Sequence, residues 1–410
     1  MTLPAFAGTW YIDDGDISIS AGTSGNKVTQ NGEEKASNDT NTVITNHDSS
    51  TASSNTVTIE ASEGKTVDVT LENVNIDTSK TVGAAVSVTG SGDTNIELNG
   101  DNTLTSGSDY AGLEHNKTDD SGTLTIQDEK NDDGSAKGSA SDTTGSLTAT
   151  GGYHSAGIGG SDKQGGQVTI TGGEITANGG SGGAGIGGGS GNKQAVGGDG
   201  DVTISGGTIT ATGGSLGAGI GGGAYGNGTV TITDGDITAK ATGDYGAGIG
   251  GGFGAIPKDT LIGGNGTVTI SGGTITEASG GYMAAGIGSG YQGLGTVTIE
   301  GDAVIKNAQG GEAGAGIGSG TRGNSEIIIR GDAVIENAES SANGAGIGSG
   351  QGDVNYDYDI EETIIDKTVG NVTIEGNAKI ENAKSGSGGS GIGGGTLGIG
   401  NVIIRGNAQI

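Results

Sequence analysis

The seven residues from Gly183 to Gly189 read GAGIGGG, and near-copies of this stretch return around Ile158, Ile186, Ile220, Ile249, Ile287, Ile317, Ile347 and Ile392. The steps between these isoleucines run from 28 to 45 residues and mostly sit near 30. A fixed period of this size signals stacked supersecondary units, none of which can bury its apolar face alone.

Each unit carries two further apolar beats, as in DVTISGGTITATGGSLGAGIGGG, Asp201 to Gly223. A V-T-I triplet is followed by a turn at Gly206-Gly207, then I-T-A, then the glycine cage. Strand alternation places Val202 and Ile204 on one face and Thr203 on the other. Strands this short find partners one repeat away, in parallel, which predicts an all-β solenoid: a right-handed parallel β-helix with three short strands per coil of about 30 residues. Its interior is then a set of columns, among them Val168/Val202/Val230/Val268/Val297/Ile327/Val372/Val402 and the caged isoleucines. An open end of such a stack needs a cap, and the irregular Ser/Thr/Asn-rich segment from Gly8 to about Asn55 is the expected N-terminal one. The chain divides into residues 1–55 (export-signal remnant and cap), 56–150 (irregular coils), 151–299 (regular GAGIGGG coils) and 300–410 (variant coils with an acidic insertion at about 351–369).

In the last of these parts the second beat becomes GDAVIKNA, GDAVIENA and GNAKIENA. Lys379 and Gln409 stand where Val304 and Val334 do, so that place points outward and Ile305, Ile335 and Ile380 point in. Asn307, Asn337 and Asn382 are expected to stack as an amide ladder. Glu300, Arg330, Glu375 and Arg405 alternate in sign at one repeat position and should pair from coil to coil. In the cage itself, Ala184 and Ile186 are expected inward and Gly185 and Gly187 outward. That leaves either a strip without side chains, along which an extended ligand can lie, or plain corner geometry.

With 48 acidic against 18 basic residues, the formal charge is −30. Such a surface repels phosphate backbones and anionic lipid, which argues against nucleic-acid and membrane-surface partners. No apolar run approaches the length of a membrane span. The absence of cysteine leaves the redox compartment open. Leu3 to Ala7, LPAFA, ends in the small-x-small pattern of a signal-peptidase site, so export to the medium or the cell surface is expected.

The run VDVTLENVNIDTSKTVGAAVSVTGSGDTNIELNGDNTLTSG from Val67 to Gly107, followed by GTLTIQ, GSLTATGG and the GAGIGGG units, resembles the secreted "carbohydrate-binding domain" β-helix proteins of Gram-positive anaerobes. The likeness covers about Ile59 to Ile410. It implies a right-handed β-helix of the pectate-lyase-like kind on a secreted or surface protein, with a polysaccharide as partner. It carries over no binding residue.

Tests for chemistry turn up little. The histidines sit in NHD, EHN and YHS (His47, His115, His154), and no R-I-K signature of a polygalacturonase occurs. A calcium-dependent lyase needs a basic residue above acidic ligands, yet Arg330 and Arg405 fill a position that the repeat explains. Asp353, Asn355, Asp357, Asp359 and Glu361 alternate in DVNYDYDIEE and resemble the start of a calcium loop, without its sixth-place glycine and twelfth-place glutamate. The competing account is an inserted hairpin with a solvated acidic edge. Calcium is the one cofactor the sequence admits.

The aromatics are few and flank the cage: Tyr110, Tyr153, Tyr245 and Tyr282 before it, Tyr225, Phe253 and Tyr291 after it. Rings beside a bare strip suit sugar stacking, and they equally suit covering of exposed core edges. A Thr-x-Thr array at Thr229/Thr231, Thr267/Thr269 and Thr296/Thr298 is the kind of surface that binds ice, though threonine is also the default outward strand residue. The expected protein is therefore a non-enzymatic, exported glycan-binding or adhesin region, with Tyr153, Tyr225, Tyr245, Phe253, Tyr282 and Tyr291 as its glycan contacts. A host protein is a further candidate partner, and a stalk that presents other domains is the rival reading.

Overall fold

The computed structural model describes residues 7–129, 145–191, 198–255, 263–357 and 362–410; the Leu3–Phe6 part of the export-site pattern lies outside them. No α-helix occurs among the described residues, and no helix is long and apolar enough to cross a membrane. The chain winds into a β-solenoid of about 12 turns.

The three strands of each coil pair in parallel with the same strands of the next. In the first, Val168, Val202, Val230, Val268, Val297, Ile327, Val372 and Val402 are direct neighbours, as are the isoleucines two places later, from Ile170 to Ile404. In the second, Ile175, Ile209, Ile237, Ile275, Ile305, Ile335 and Ile380 form an unbroken file. The third is only two residues long in the regular coils, and its file runs from Ile17 through Val57, Val86 and Leu113 to Ile158 and on to Ile392. Until the last coils these columns are almost wholly buried; Val402 and Ile404, which no coil covers, are 40% and 51% exposed. Between the first and second strands a file of glycines from Gly173 to Gly406 turns the chain at φ between +64° and +108°.

The first coil differs. Thr9–Tyr11 pairs in parallel with Thr42–Thr45, while Ile17–Ala21, Asn26–Gln30 and Glu33–Asp39 form an antiparallel meander over the end of the stack and bury Val28. The Trp10 indole N–H donates to Asp39 Oδ2 at 2.7 Å, and the Tyr11 ring stacks on His47 at 3.8 Å. At the other end, Asn337 Nδ2 donates to Asn307 Oδ1 at 2.8 Å and Asn382 Nδ2 to Asn337 Oδ1 at 2.5 Å, giving the expected amide ladder. Arg330 pairs with Glu300 and Arg405 with Glu375, each with Nε 2.6 Å from a carboxylate oxygen.

Candidate functional site

The glycine cage is an inward bow. In each regular coil the N–H of the residue two before the isoleucine donates to the carbonyl two after it, as from Ala184 to Gly188 at 2.9 Å, with Ile186 at the apex. On either side of the bow the chain runs out into a lobe, one before it (Gly180–Gly183 in this coil) and one after it. The second lobe of each coil is tied to the first lobe of the coil before: Ser190 N–H to His154 O, Ala224 to Gly182, Phe253 to Leu216, Tyr291 to Tyr245, Thr321 to Met283, Gln351 to Ala313 and Thr396 to Asn343, all within 3.0 Å. The lobes are thus knitted to one another by backbone along the stack.

This overturns the open strip. Gly185 and Gly187 are buried. A Cβ on Gly185 would lie 2.6 Å from Gly219 O and 2.7 Å from Thr212 N, and one on Gly187, at φ +130°, 2.0 Å from Gly221 O. Neither glycine faces open solvent. The cage is glycine-rich because backbone of the next coil occupies the place a side chain would need, so no ligand lies along it.

The aromatics sit on the lobes. Four of the six candidates converge: Tyr245 meets Phe253 at 5.0 Å and Tyr291 at 5.6 Å, both edge-on; Tyr225 meets Phe253 edge-on at 5.1 Å; and Phe253 and Tyr291 are parallel at 6.0 Å. These four rings are half-buried in one another. Tyr282, on the first lobe of the coil that holds Tyr291, stays 46% exposed. Glu312 accepts a hydrogen bond from its hydroxyl and, with its own charge and that of Asp244, holds the phenol above its ordinary range. Tyr153 is 60% exposed and stands apart, edge-on to His154 at 4.4 Å.

The acidic insertion is an antiparallel hairpin, Asp353–Asp357 against Glu362–Asp366. Asp359 and Glu361 lie outside the described residues. Arg322 holds the hairpin's base, 2.7 Å from Asp353 and 3.7 Å from Asp366, so a cation at Asp353 must compete with a guanidinium. The stack also makes one grouping that sequence spacing conceals: carboxylates of Asp109 and Asp162 with the His154 imidazole, ligand atoms within 4.8 Å of one another. These residues come from two successive coils. Lys163 is ion-paired to Asp162 and already supplies a positive charge there.

A family model described as a beta helix repeat matches residues 145–162, 168–190, 202–224, 230–253 and 268–291. Four of these stretches begin on the first-strand valine of a coil and end in its second lobe, so the repeat coincides with the structural coil. The chain is a parallel β-helix protein. No curated protein and no solved structure is significantly similar to this β-helix.

Proposed function

We propose that this β-helix is a non-enzymatic glycan-binding region of an exported protein, acting as an adhesin through the outer face of its lobes. The observation that supports this reading is the gathering of Tyr225, Tyr245, Phe253 and Tyr291 on successive coils, with the exposed Tyr282 on the first lobe of the coil that carries Tyr291. Sugars stack on ring faces and hydrogen-bond at their rims, and the Tyr282 ring with the Glu312 and Asp244 carboxylates offers both. Acidic carboxylates at the rim, on a chain of charge −30, favour a neutral glycan over a uronic or sialylated one.

The test is a glycan array, with pull-downs on insoluble neutral polysaccharides, of the intact chain beside Tyr282→Ala. Tyr282 carries little packing, so its loss should weaken binding about tenfold, the scale of one aromatic contact, with an unchanged melting midpoint. Changing Tyr245 or Tyr291 is a poorer test, because each also supports its ring neighbours.

A second reading has its own observation. The four clustered rings satisfy one another, as a small core under the lobes would, and the ion and amide ladders make a stiff rod; both suit a stalk. Failure of the folded chain to bind any glycan would remove the glycan-binding reading and leave the stalk or an adhesin for a host protein.

A further inference from the structure

The fourth coil, like the three before it, lacks the glycine cage, and it buries ionisable groups in that place. Leu113 stands in the third-strand file beside Ile158, yet the residues that follow it are Glu114, His115 and Asn116, where Ile186 and Ile220 are followed by three glycines. Burying a carboxylate and an imidazole there is costly unless each finds partners. Glu114 finds them: Ser87 Oγ donates to one oxygen at 2.7 Å and Ser161 Oγ to the other. Asn116 Oδ1 accepts the Ser161 N–H at 2.9 Å.

His115 is satisfied on one side only. Its Nδ1 lies 2.7 Å from Gln167 O. A carbonyl can only accept, so Nδ1 carries the hydrogen, and in the neutral ring Nε2 is a bare lone pair. The residue is 2% exposed, and Nε2 meets no partner among the described residues. Burial holds the imidazole below its ordinary range, against the Gln167 hydrogen bond and the Glu114 charge.

His115 lines a cleft of about 330 Å³. One wall is Val88, Thr89 and Gly90 of the coil before; the other is the excursion that carries Thr118, Asp120 and Ser121. The volume falls within the range of small-molecule sites. The cleft therefore sets the exposed Thr89 and Gly90 beside two groups that accept hydrogen bonds, a neutral imidazole and a carboxylate. An anion is disfavoured by Asp120 and gains no charge from His115.

We propose that this cleft is a second binding site, taking one neutral sugar residue whose hydroxyls donate to His115 Nε2 and Asp120 while its apolar face lies on Thr89 and Gly90. The site does not depend on the aromatic lobes and stands or falls separately from them.

The experiment is an imidazole ¹⁵N NMR titration of the whole chain, which has three histidines to assign, with glucose, galactose, mannose and N-acetylglucosamine. At least one sugar should shift the His115 Nε2 resonance saturably. Asp120→Asn, an exposed change that leaves the fold intact, should weaken that sugar about tenfold, the scale of one charged hydrogen bond. Tyr282→Ala should leave it unchanged. No shift with any of the four sugars overturns the proposal, as does an unaltered affinity in Asp120→Asn. Loss of the shift in Tyr282→Ala would overturn the claim of a separate site.

Discussion

A methyl group on residue 187 would lie 2.0 Å from Gly221 O at a φ of +130°, whereas one on Gly32, at φ +76°, meets nothing within 4 Å. The first position combines a forbidden backbone with a collision against another backbone, and the second only a left-handed residue. Gly187→Ala should cost on the order of 3 kcal/mol and Gly32→Ala about 1 kcal/mol, read as shifts in urea midpoint. Equal effects would mean that coil-to-coil contact does not select the cage glycines. His115 supplies a second residue-scale prediction. Its pKa is lowered in the fold, so the unfolded chain binds the extra proton first and stability falls as pH drops below about 6.5. The window to follow runs from about pH 6.5 down to about 5, and the comparison with His115→Gln isolates this imidazole within it. Compared with His115→Gln, the native chain should lose stability on acidification through that window; parallel pH curves for the two would refute the assignment. The inward valines and isoleucines were legible in the sequence because alternation marks a face. The direction of Gly185 and Gly187 was not, because a missing side chain has no polarity, and what excludes it is the backbone of another coil.

The ladders and lobes belong to the scale of elements. Asn337 is the middle rung of its ladder, accepting from Asn382 and donating to Asn307. Asn337→Ala leaves both neighbours half-satisfied in part-buried positions and should cost about 1–2 kcal/mol, roughly twice the loss from Asn382→Ala at the end of the ladder, compared by denaturant melts. The pairing of Arg330 with Glu300 is more exposed, and Glu300→Gln should cost under about 1 kcal/mol. Both ladders were readable in advance, since equal repeat positions must stack. The lobes were not. Their stitching runs from the second lobe of one coil to the first lobe of the coil before, and nothing in the spacing of Tyr245 and Tyr291 announces that the one accepts a hydrogen bond from the other's N–H at 3.0 Å. The same blindness hid Asp109, His154 and Asp162, and made His115 look like a stray histidine until the coil beneath it was in place.

On the scale of the whole molecule, about 12 coils at a ladder spacing of about 4.8 Å make a rod about 55 Å long, along which a formal charge of −30 is spread. Arg322, Arg330 and Arg405 are all engaged with carboxylates, so the remaining acids repel one another through solvent. Salt shortens the reach of that repulsion to about 8 Å at physiological ionic strength, below the length of two coils. The melting midpoint should therefore rise with sodium chloride and level off once neighbouring coils are screened. Calcium separates two origins of the effect. Screening depends on ionic strength alone, so magnesium and calcium at equal strength should then act alike. A site built from the alternating acids that begin at Asp353 would instead respond to calcium beyond magnesium, because calcium accepts more and looser oxygen ligands. Arg322 already neutralises Asp353 and reaches Asp366, so the two ions should raise the midpoint equally. An excess rise with calcium, abolished by Asp353→Asn, would show that the hairpin exchanges its guanidinium for a metal.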